Sequence, residues 1–277
     1  MNFFNSEAYP PDRQLNAAST AIVVPARLAS TRFPQKLLHP VAGKPLVLWT
    51  ADQLRQEVPE LPLYFAVDSP VLQQLLQEHG YRAILTPPLL RNGTERIAYV
   101  LDAIPQSQIL NIQADEPLVT RRHILALCNA LEGSGAPMAT VGAPLENMSH
   151  WHNPHRVKVV RSRQGLALYF SRSPIPYVRD LPLEIAFQNH PNTFLLHLGL
   201  YAYQKTFLAT YSELPEGPLE QLECLEQLRA LENGFPIAVG LCDQPTQGID
   251  HPDDLPAVET LLHNASMKSS SRAAFSQ

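Results

Sequence analysis

The sequence predicts an α/β fold that has a mostly parallel sheet and a smaller antiparallel lobe inserted in its second half. Short apolar runs alternate with helical patterns over about the first 145 residues, an order typical of a parallel sheet with helices on both faces. Two strand-like runs then flank a short polar turn, which is typical of an antiparallel hairpin. A late strand and a closing helix are expected to return the chain to the main sheet.

The strands of the first half are predicted from short apolar runs, and the helices from their periodicity and end signals. Ser69 is a favourable N-cap for a helix that begins at Pro70, and Gly80 is a favourable stop for the same helix. These signals predict strands at residues 21–24, 63–67, 83–85, 108–112 and 138–141, and helices from about residue 45 and at 70–79, 94–103 and 120–131.

The second half contains the clearest helical pattern in the chain. Leucines at every third position predict one helix over residues 219–233, which Gly234 ends. The hairpin is predicted at residues 157–161 and 166–170, further strands at 194–203 and 237–241, and the closing helix at 252–263.

We expect a single folded domain with loose ends. The domain is predicted at residues 20–264, with the antiparallel lobe at about 150–215. Residues 1–19 precede the first strand and are expected to be a flexible extension. Residues 265–277 are rich in Ser and poor in apolar residues, which predicts a disordered tail.

Composition and charge argue against several classes of protein. Lys and Arg number 21 against 26 for Asp and Glu, giving a net charge of −5, which disfavours non-specific binding to nucleic acid or to anionic membranes. Apolar runs long enough to cross a bilayer are missing from the sequence, and its first residues do not have the pattern of a signal peptide. The three cysteines are far apart and form no CxxC pair. We therefore expect a cytoplasmic protein without a disulfide framework, zinc site or membrane insertion.

A cluster of cations follows the first strand. Pro25 ends the strand, and Arg27, Arg32 and Lys36 follow on a loop that contains no acid. This loop has neither the GxxxxGK(S/T) nor the GxGxxG pattern, so a phosphate site there would use side-chain cations. Such a loop at the carboxyl end of a strand favours a polyanion such as a triphosphate, and hence a nucleotidyltransferase. The alternative is a solvated basic loop.

Two acids are candidate ligands of a divalent cation. Asp115, in QADEP, follows a buried strand, and Asp250, in GIDHPDDL, follows the last strand. Magnesium prefers one or two carboxylates together with phosphate oxygens and water, so both residues fit a magnesium site. The alternative for each is a turn or helix-capping role.

The segment RNGTER combines a helix start with two charged residues. Gly93 and Thr94 lie at the predicted start, where backbone N–H groups could reach a base or a phosphate. Glu95 and Arg96 are expected to pair on the helix surface.

Several longer motifs carry a resemblance to a known family. The chain contains, in order, PARLASTRFPQKLL, GKPL, NGTERIA, NIQADEPL, NPHRVKVV, ALYFSRSPIPY, LHLGLYAY, PLEQLECLEQLR and GIDHPDDL. This set resembles the 3-deoxy-manno-octulosonate (Kdo) cytidylyltransferases, or CMP-Kdo synthetases, within the sugar cytidylyltransferase family. The resemblance extends from about Ala21 to about His263 and implies a Rossmann-like nucleotidyltransferase sheet of the GT-A-like type.

The resemblance implies transfer of CMP from CTP to Kdo, with release of pyrophosphate, for lipopolysaccharide biosynthesis. It implies Mg²⁺ on Asp115 and Asp250, catalytic roles for Arg27, Lys36 and Asp115, and a homodimer. The residues implied to bind the nucleotide are Pro25, Ala26, Arg27, Arg32, Lys36, Asn92, Gly93 and Gln113.

The sugar is implied to bind through the second half of the chain, where the lobe would also serve dimerisation. The candidates are Arg172, His197, Tyr201, Glu220 and Glu223. An Arg or His suits the sugar carboxylate, and acids suit its hydroxyls. Considered without the resemblance, Glu220 and Glu223 are ordinary helix-surface charges and His197 is a hydrogen-bonded core histidine.

The chain departs from the family pattern at three positions. Ala114 replaces the Gly of the usual QGDEP, Asn92 replaces the Ser of SGTER, and Gln221 stands where the family often has His. These departures leave open a related acidic sugar, such as an amino-Kdo or a nonulosonate, or a non-catalytic protein that binds CTP.

Overall fold

The structure is a computed structural model that describes residues 13–30, 33–145, 147–249 and 251–263. Arg32, Asp250 and the predicted tail at residues 265–277 therefore lie outside the described residues. The predicted extension at residues 1–19 is described only from residue 13 onward.

A mixed nine-stranded sheet forms the centre of the described chain. Its strands are β1 (Thr20–Ala26), β4 (Leu63–Val67), β5 (Arg82–Leu85), β6 (Gln108–Asn111), β7 (Met138–Pro144), β8 (Lys158–Arg161), β9 (Ala167–Ser171), β10 (Leu195–Gln204) and β11 (Ile237–Leu241). The main order is β11-β7-β10-β6-β1-β4-β5, and β8 joins the hairpin partner β9 to β10. Since β10 alone runs against the other six strands of this order, the predicted mostly parallel α/β fold is confirmed. Two short strands, β2 (Pro40–Val41) and β3 (Lys44–Pro45), form a separate antiparallel sheet.

Helices cover both faces of the main sheet. They are α1 (Leu46–Glu57), α2 (Pro70–Glu78), α3 (Gly93–Tyr99), α4 (Arg121–Ser134), α5 (Met148–His152), α6 (Leu183–Asn189), α7 (Lys205–Tyr211), α8 (Pro218–Glu223), α9 (Leu228–Glu232) and α10 (residues 255–263). Successive residues of β1 point to opposite faces, so Ile22 and Val24 join one apolar core while Ala21 and Val23 join the other. A membrane-spanning helix would have to be longer and more apolar than any helix in the described part of the chain.

The predicted single helix over residues 219–233 is wrong. The chain leaves the helix at Cys224, whose φ of +50° is left-handed, and resumes in α9 at Leu228. The Arg172 guanidinium accounts for the break, because its Nε donates to the carbonyl oxygen of Glu223 and its Nη2 to that of Cys224. These tertiary hydrogen bonds satisfy the last carbonyls of α8, which a longer helix would have paired with its own N–H groups.

The range predicted as a lobe contributes directly to the main sheet. β10 lies between β6 and β7, and the β8–β9 hairpin extends from it. The use of residues 150–215 for sugar binding and dimerisation stays a prediction.

Candidate active site

The first cation-bearing loop and the QADEP segment meet at one edge of the sheet. Strands β1 and β6 are parallel neighbours, so the residues that follow them emerge side by side at their carboxyl ends. They enclose a cleft of about 170 Å³, lined by Pro25, Arg27, Ala29, Ser30, Lys36, Leu37, Gln113, Ala114 and Asp115. Five of the residues predicted to bind the nucleotide or its metal therefore line one cleft, namely Pro25, Arg27, Lys36, Gln113 and Asp115.

A close ion pair lies within this cleft. Lys36 is 8% exposed, and its Nζ lies 2.5 Å from Oδ2 of Asp115. Lys36 begins a short 3₁₀ helix, and the residue before it, Gln35, has a left-handed φ of +53° that turns the chain into the cleft. The pair offers an ammonium for a phosphate and a carboxylate for a cation in the same small space.

The predicted base-binding residues pack against the end of β1. A Cβ placed on Gly93 would lie 3.0 Å from Cγ of Pro25 and 3.8 Å from Oε1 of Gln113, so any larger residue would require Pro25 to shift by a few tenths of an ångström. Asn92 caps α3, since its Oδ1 accepts a hydrogen bond from the Glu95 N–H at 2.8 Å. Because Ser is an equally good N-cap, this departure from the family pattern preserves the helix start.

Arg96 is buried, which contradicts the expectation of a surface pair with Glu95. Its side chain is 2% exposed, and Nη1 donates to the Thr86 hydroxyl and the Pro87 carbonyl. Its Nη2 lies 4.0 Å from Asp68, which in turn accepts a hydrogen bond from the Leu28 N–H on the cationic loop. Burial lowers the pKa of the Arg96 guanidinium, Asp68 raises it and nearby Arg27 lowers it. Arg96 thus supports the cationic loop through Asp68. Its position in the sequence did not reveal this role.

The Asp115 carboxylate is a ligand of the kind that a hard divalent cation takes together with phosphate oxygens. Among the described residues, no group of three or more His, Cys, Asp or Glu could hold a metal without other ligands. Magnesium does not need such a cage, because it commonly takes one or two carboxylates plus substrate phosphates. The N–H of Ile249, which precedes Asp250, donates to the Asp115 carbonyl at 3.1 Å.

Ala114 is accommodated in the structure. Its φ is not among the positive values of the described residues, its side chain is buried at 4% exposure, and its carbonyl accepts from the Thr50 hydroxyl at 2.8 Å. The added methyl therefore demands no left-handed backbone here. The third departure, Gln221, is exposed on α8.

His197 is a buried, neutral histidine beside Tyr201. The Thr140 hydroxyl donates to the Leu200 carbonyl at 2.6 Å, so it accepts from Nε2 of His197 at 2.9 Å. This pairing puts the ring proton on Nε2 and leaves Nδ1 as an acceptor. Burial lowers the pKa of His197 to about 3, so the ring offers hydrogen bonds rather than a positive charge to a sugar acid.

The other sugar candidates are engaged in internal contacts. Glu220 forms a bidentate pair with Arg229, at 2.6 and 2.8 Å. Glu223 accepts from the Ser171 hydroxyl at 2.5 Å and from the Arg172 N–H at 2.9 Å. The Arg172 guanidinium donates to the carbonyls of Glu223, Pro154 and Cys224.

Two residues that the sequence prediction missed complete this region. The Tyr201 hydroxyl donates to Oε1 of Gln227 at 3.1 Å, and Nε2 of Gln227 lies 3.5 Å from Nδ1 of His197. In Glu226, Oε1 is buried and has no hydrogen-bond partner among the described residues, and burial raises the pKa of the carboxyl. Both residues belong to the motif PLEQLECLEQLR, which was the available signal. The assumption of a continuous helix hid them.

Comparisons with known proteins identify the family of the chain. The model of the cytidylyltransferase family matches residues 21–239. The chain is 41% identical over 244 residues to a 3-deoxy-manno-octulosonate cytidylyltransferase from Chloroherpeton thalassium, covering 87% of this chain and 96% of that protein. It is 42% identical over 248 residues to the enzyme of the same name from Polynucleobacter asymbioticus, covering 88% and 95%.

Solved structures give the same result. The structure of CMP:2-keto-3-deoxy-manno-octonic acid synthetase complexed with CTP superimposes with a TM-score of 0.81 at 33% identity, covering 89% of this chain and 99% of that one. A 4-diphosphocytidyl-2C-methyl-D-erythritol synthase from Anaerococcus prevotii, at 11% identity and a TM-score of 0.58, shares the fold. With a matching family model, relatives at about 40% identity over nearly their whole length and a closely superimposing structure, the chain belongs to the cytidylyltransferase family, among its 3-deoxy-manno-octulosonate cytidylyltransferases.

Proposed function

We propose that this enzyme transfers CMP from CTP to 3-deoxy-D-manno-octulosonate (Kdo), giving CMP-Kdo and pyrophosphate for lipopolysaccharide biosynthesis. The observation that carries the proposal is the ion pair of Lys36 and Asp115, 2.5 Å apart in a cleft at the carboxyl edge of the sheet. Relatives named for this reaction match the chain over 87% and 88% of its length.

The nucleotide occupies the cleft between β1 and β6 in this proposal. Arg27 and Lys36 hold the triphosphate and offset the charge that builds on the leaving pyrophosphate. Arg32 joins them by resemblance to the family. Gln113, Asn92 and the Gly93 backbone bind the cytosine, while Pro25 and Ala26 form the start of the loop. The close packing of Gly93 on Pro25 and Gln113 supports this assignment.

A divalent metal, which we propose to be Mg²⁺, would be held by Asp115 and, by resemblance to the family, by Asp250. When bound, it would supply charge neutralisation at the phosphates and would lower the pKa of the attacking sugar hydroxyl. Asp115 fits this role because its carboxylate is 28% exposed in a cleft that also contains Arg27 and Lys36, the cations proposed to bind phosphate.

The anomeric hydroxyl of Kdo loses its proton to water and attacks the α-phosphorus in line, forming a new P–O bond as the bond from the α-phosphorus to the bridging oxygen breaks and pyrophosphate leaves. We place the sugar beside His197, Tyr201, Glu226 and Gln227. These side chains can orient its hydroxyls through neutral hydrogen bonds and one buried carboxyl. Arg172 is the candidate for the sugar carboxylate.

The two acids from the same motif have a weaker case as sugar ligands. Glu220 and Glu223 stay candidates from resemblance, and their internal contacts favour supporting roles. We also propose a cytoplasmic homodimer, on the resemblance alone.

Pyrophosphate release tests the function directly. The assay contains CTP, Mg²⁺ and Kdo, with UTP and a nonulosonate as parallel controls and Asp115→Asn as the inactive control. Release with CTP and Kdo alone supports the proposal. Release only with another sugar acid or nucleotide would show that the enzyme catalyses nucleotidyl transfer with a different substrate. Binding of CTP by calorimetry without release under any condition supports the non-catalytic alternative.

A further inference from the structure

A fully buried cation lies beside the sugar region and has no role in the reaction proposed above. Lys158 is the first residue of β8, and its exposed fraction is 0%. Its Nζ donates to three backbone carbonyls, those of Asn153 at 3.0 Å, Arg156 at 2.6 Å and Arg172 at 2.6 Å. An ammonium has three N–H donors, and these three carbonyls, called the Lys158 cage below, accept from all of them.

The three carbonyls come from two separate parts of the chain. Asn153 and Arg156 belong to the loop between α5 and β8, whereas Arg172 directly follows β9. Arg172 contacts the same loop from its other end, because its Nη1 donates to the Pro154 carbonyl at 3.1 Å. Lys158 and Arg172 together therefore tie this loop to the end of β9.

Lys158 also stands between the strands that carry the sugar candidates. β8 pairs with β10 on one side and with β9 on the other, opposing Lys158 to Leu196 and Ser171. The residue before it, Val157, accepts a hydrogen bond from the His197 N–H at 2.8 Å. One buried side chain thus lies next to both strands of the proposed sugar side.

Hydrogen bonds connect the Lys158 cage to the turn that contains Glu226 and Gln227. Lys158 fixes the carbonyl of Arg172. The N–H of Arg172 donates to Glu223, and its guanidinium donates to the carbonyls of Glu223 and Cys224. These contacts hold the end of α8 where the chain turns left-handed at Cys224. Gln227, three residues later, contacts Tyr201 and lies near His197.

From this geometry we infer that Lys158 is a positioning residue for the sugar acid, holding Arg172 and the Glu223–Gln227 turn in place without touching the substrate. The inference rests on the proposed function. A buried ammonium paired with three carbonyls is costly to replace, because each carbonyl would lose its donor in a dry environment. Lys36 and Asp115 are held by other contacts in the nucleotide cleft, so loss of Lys158 should affect the two substrates unequally.

The test compares Lys158→Met and Lys158→Gln with the parent protein and with Lys205→Met. Lys205 is a matched control because, within the part of the chain that the structure describes, its Nζ donates to one carbonyl, that of Ile104, at 2.6 Å. Pyrophosphate release gives kcat and separate KM values for Kdo and CTP. We expect the KM for Kdo to rise about tenfold in the Met variant and less in the Gln variant, while the KM for CTP changes less than about twofold. Lys205→Met should leave both KM values unchanged.

Equal rises in the two KM values, or no rise in either, would overturn the inference. If Lys158→Met does not fold, Lys158→Gln decides by the same criterion. Hydrogen–deuterium exchange provides a readout that does not depend on turnover. Faster exchange in the Lys158 variants, concentrated at residues 153–156 and 223–227, supports the role, and unchanged exchange there overturns it. An inactive parent protein would refute the proposed function, while the exchange experiment would still decide on Lys158.

Discussion

Removing the charge of Glu220 should destabilise the fold rather than weaken sugar binding. Both oxygens of Glu220 accept hydrogen bonds from Arg229, from Nη2 at 2.6 Å and from Nε at 2.8 Å. The two side chains are 11% and 2% exposed, and the pairing with Glu220 raises the pKa of the Arg229 guanidinium. In Glu220→Gln the buried guanidinium loses its main counter-charge.

The size of the loss follows from the burial of the pair. Breaking a buried ion pair by removing one partner costs about 3–5 kcal/mol. We expect the lower end, about 3 kcal/mol, because Oε1 of Glu216 remains 3.1 Å from Nη2 of Arg229. For a chain of 277 residues the entropy of unfolding is roughly 0.6 kcal/mol/K, so Tm should fall by about 5 °C.

Differential scanning calorimetry and the two KM values measure this effect. Glu213→Gln, on an exposed glutamate two residues after α7, is the control and should shift Tm by less than about 1 °C. The double variant Glu220→Leu/Arg229→Met should lose less stability than the sum of its single variants, since neither charge is then left buried alone. A large rise in the KM for Kdo with an unchanged Tm would refute the reasoning and return Glu220 to the sugar site.

Four further predictions concern the two sides of the site. Asp115→Asn should nearly abolish turnover and leave the fold intact, and a variant with a near-normal rate would remove Asp115 from the metal site. Lys36→Ala should raise the KM for CTP much more than that for Kdo, which unchanged values of kcat and of the KM for CTP would contradict. Gly93→Ala places a Cβ 3.0 Å from Cγ of Pro25, so the KM for CTP should rise a few-fold, and an unchanged KM would show that Pro25 gives way. The pKa of His197 is lowered to about 3 by burial, so the unfolded chain binds a proton below about pH 6.5 that the folded chain rejects. The free energy of unfolding should therefore fall as the pH drops from about 6.5 towards 3, by up to roughly 1.4 kcal/mol per pH unit from this group. In urea denaturation, the free energy of unfolding of His197→Asn should fall less steeply between pH 6.5 and 3 than that of the parent protein. An equally steep fall would contradict the assignment of this pH dependence to His197.

Local signals predicted the first half of the fold well, because its strands and helices are set by short-range patterns. Ser69 caps α2 as expected, and its Oγ accepts from the Val71 N–H at 3.2 Å. The position of β10 between β6 and β7 could not be predicted in this way. Strand pairing across about 50 to 95 residues depends on how whole layers pack, and a strand's own sequence contains little information about it.

The helix break at Cys224 shows the same limit at a single residue. The leucine spacing is truly helical in period, yet Leu222 is 81% exposed while Leu225 is 6% exposed. Hydrogen bonds from Arg172, some fifty residues earlier in the chain, satisfy the last carbonyls of α8 and replace the next helical turn. A tertiary contact therefore overrides the local helix propensity. The prediction of one continuous helix for this reason did not single out Glu226 and Gln227.

The site was predictable where it depends on strand direction. Because β1 and β6 are parallel neighbours, the residues after each strand had to share an edge, and Lys36 and Asp115 do form a pair there. The prediction that Arg96 pairs on the helix surface is wrong, because a helical pattern cannot distinguish a surface arginine from one whose guanidinium is covered by a neighbouring loop. In the fold that loop contributes Thr86 and Pro87.

One set of ion pairs connects the nucleotide side of the site to the sugar side. Its extent explains at which positions a substitution can affect one substrate without the other. Arg91 donates to Glu95 on α3 and to Glu216, and Glu216 also accepts from Arg229 on α9. A chain of alternating charges thus connects the helix that begins at Gly93 to the segment that contains Glu226 and Gln227. Within this chain, substitution of Arg91 or Glu216 should disturb both sides together, because each of these two residues has a partner on both sides. Lys36 and Lys158 lie outside it, one in the nucleotide cleft and the other beneath the sugar side, so at these two positions the KM values for CTP and Kdo should respond separately.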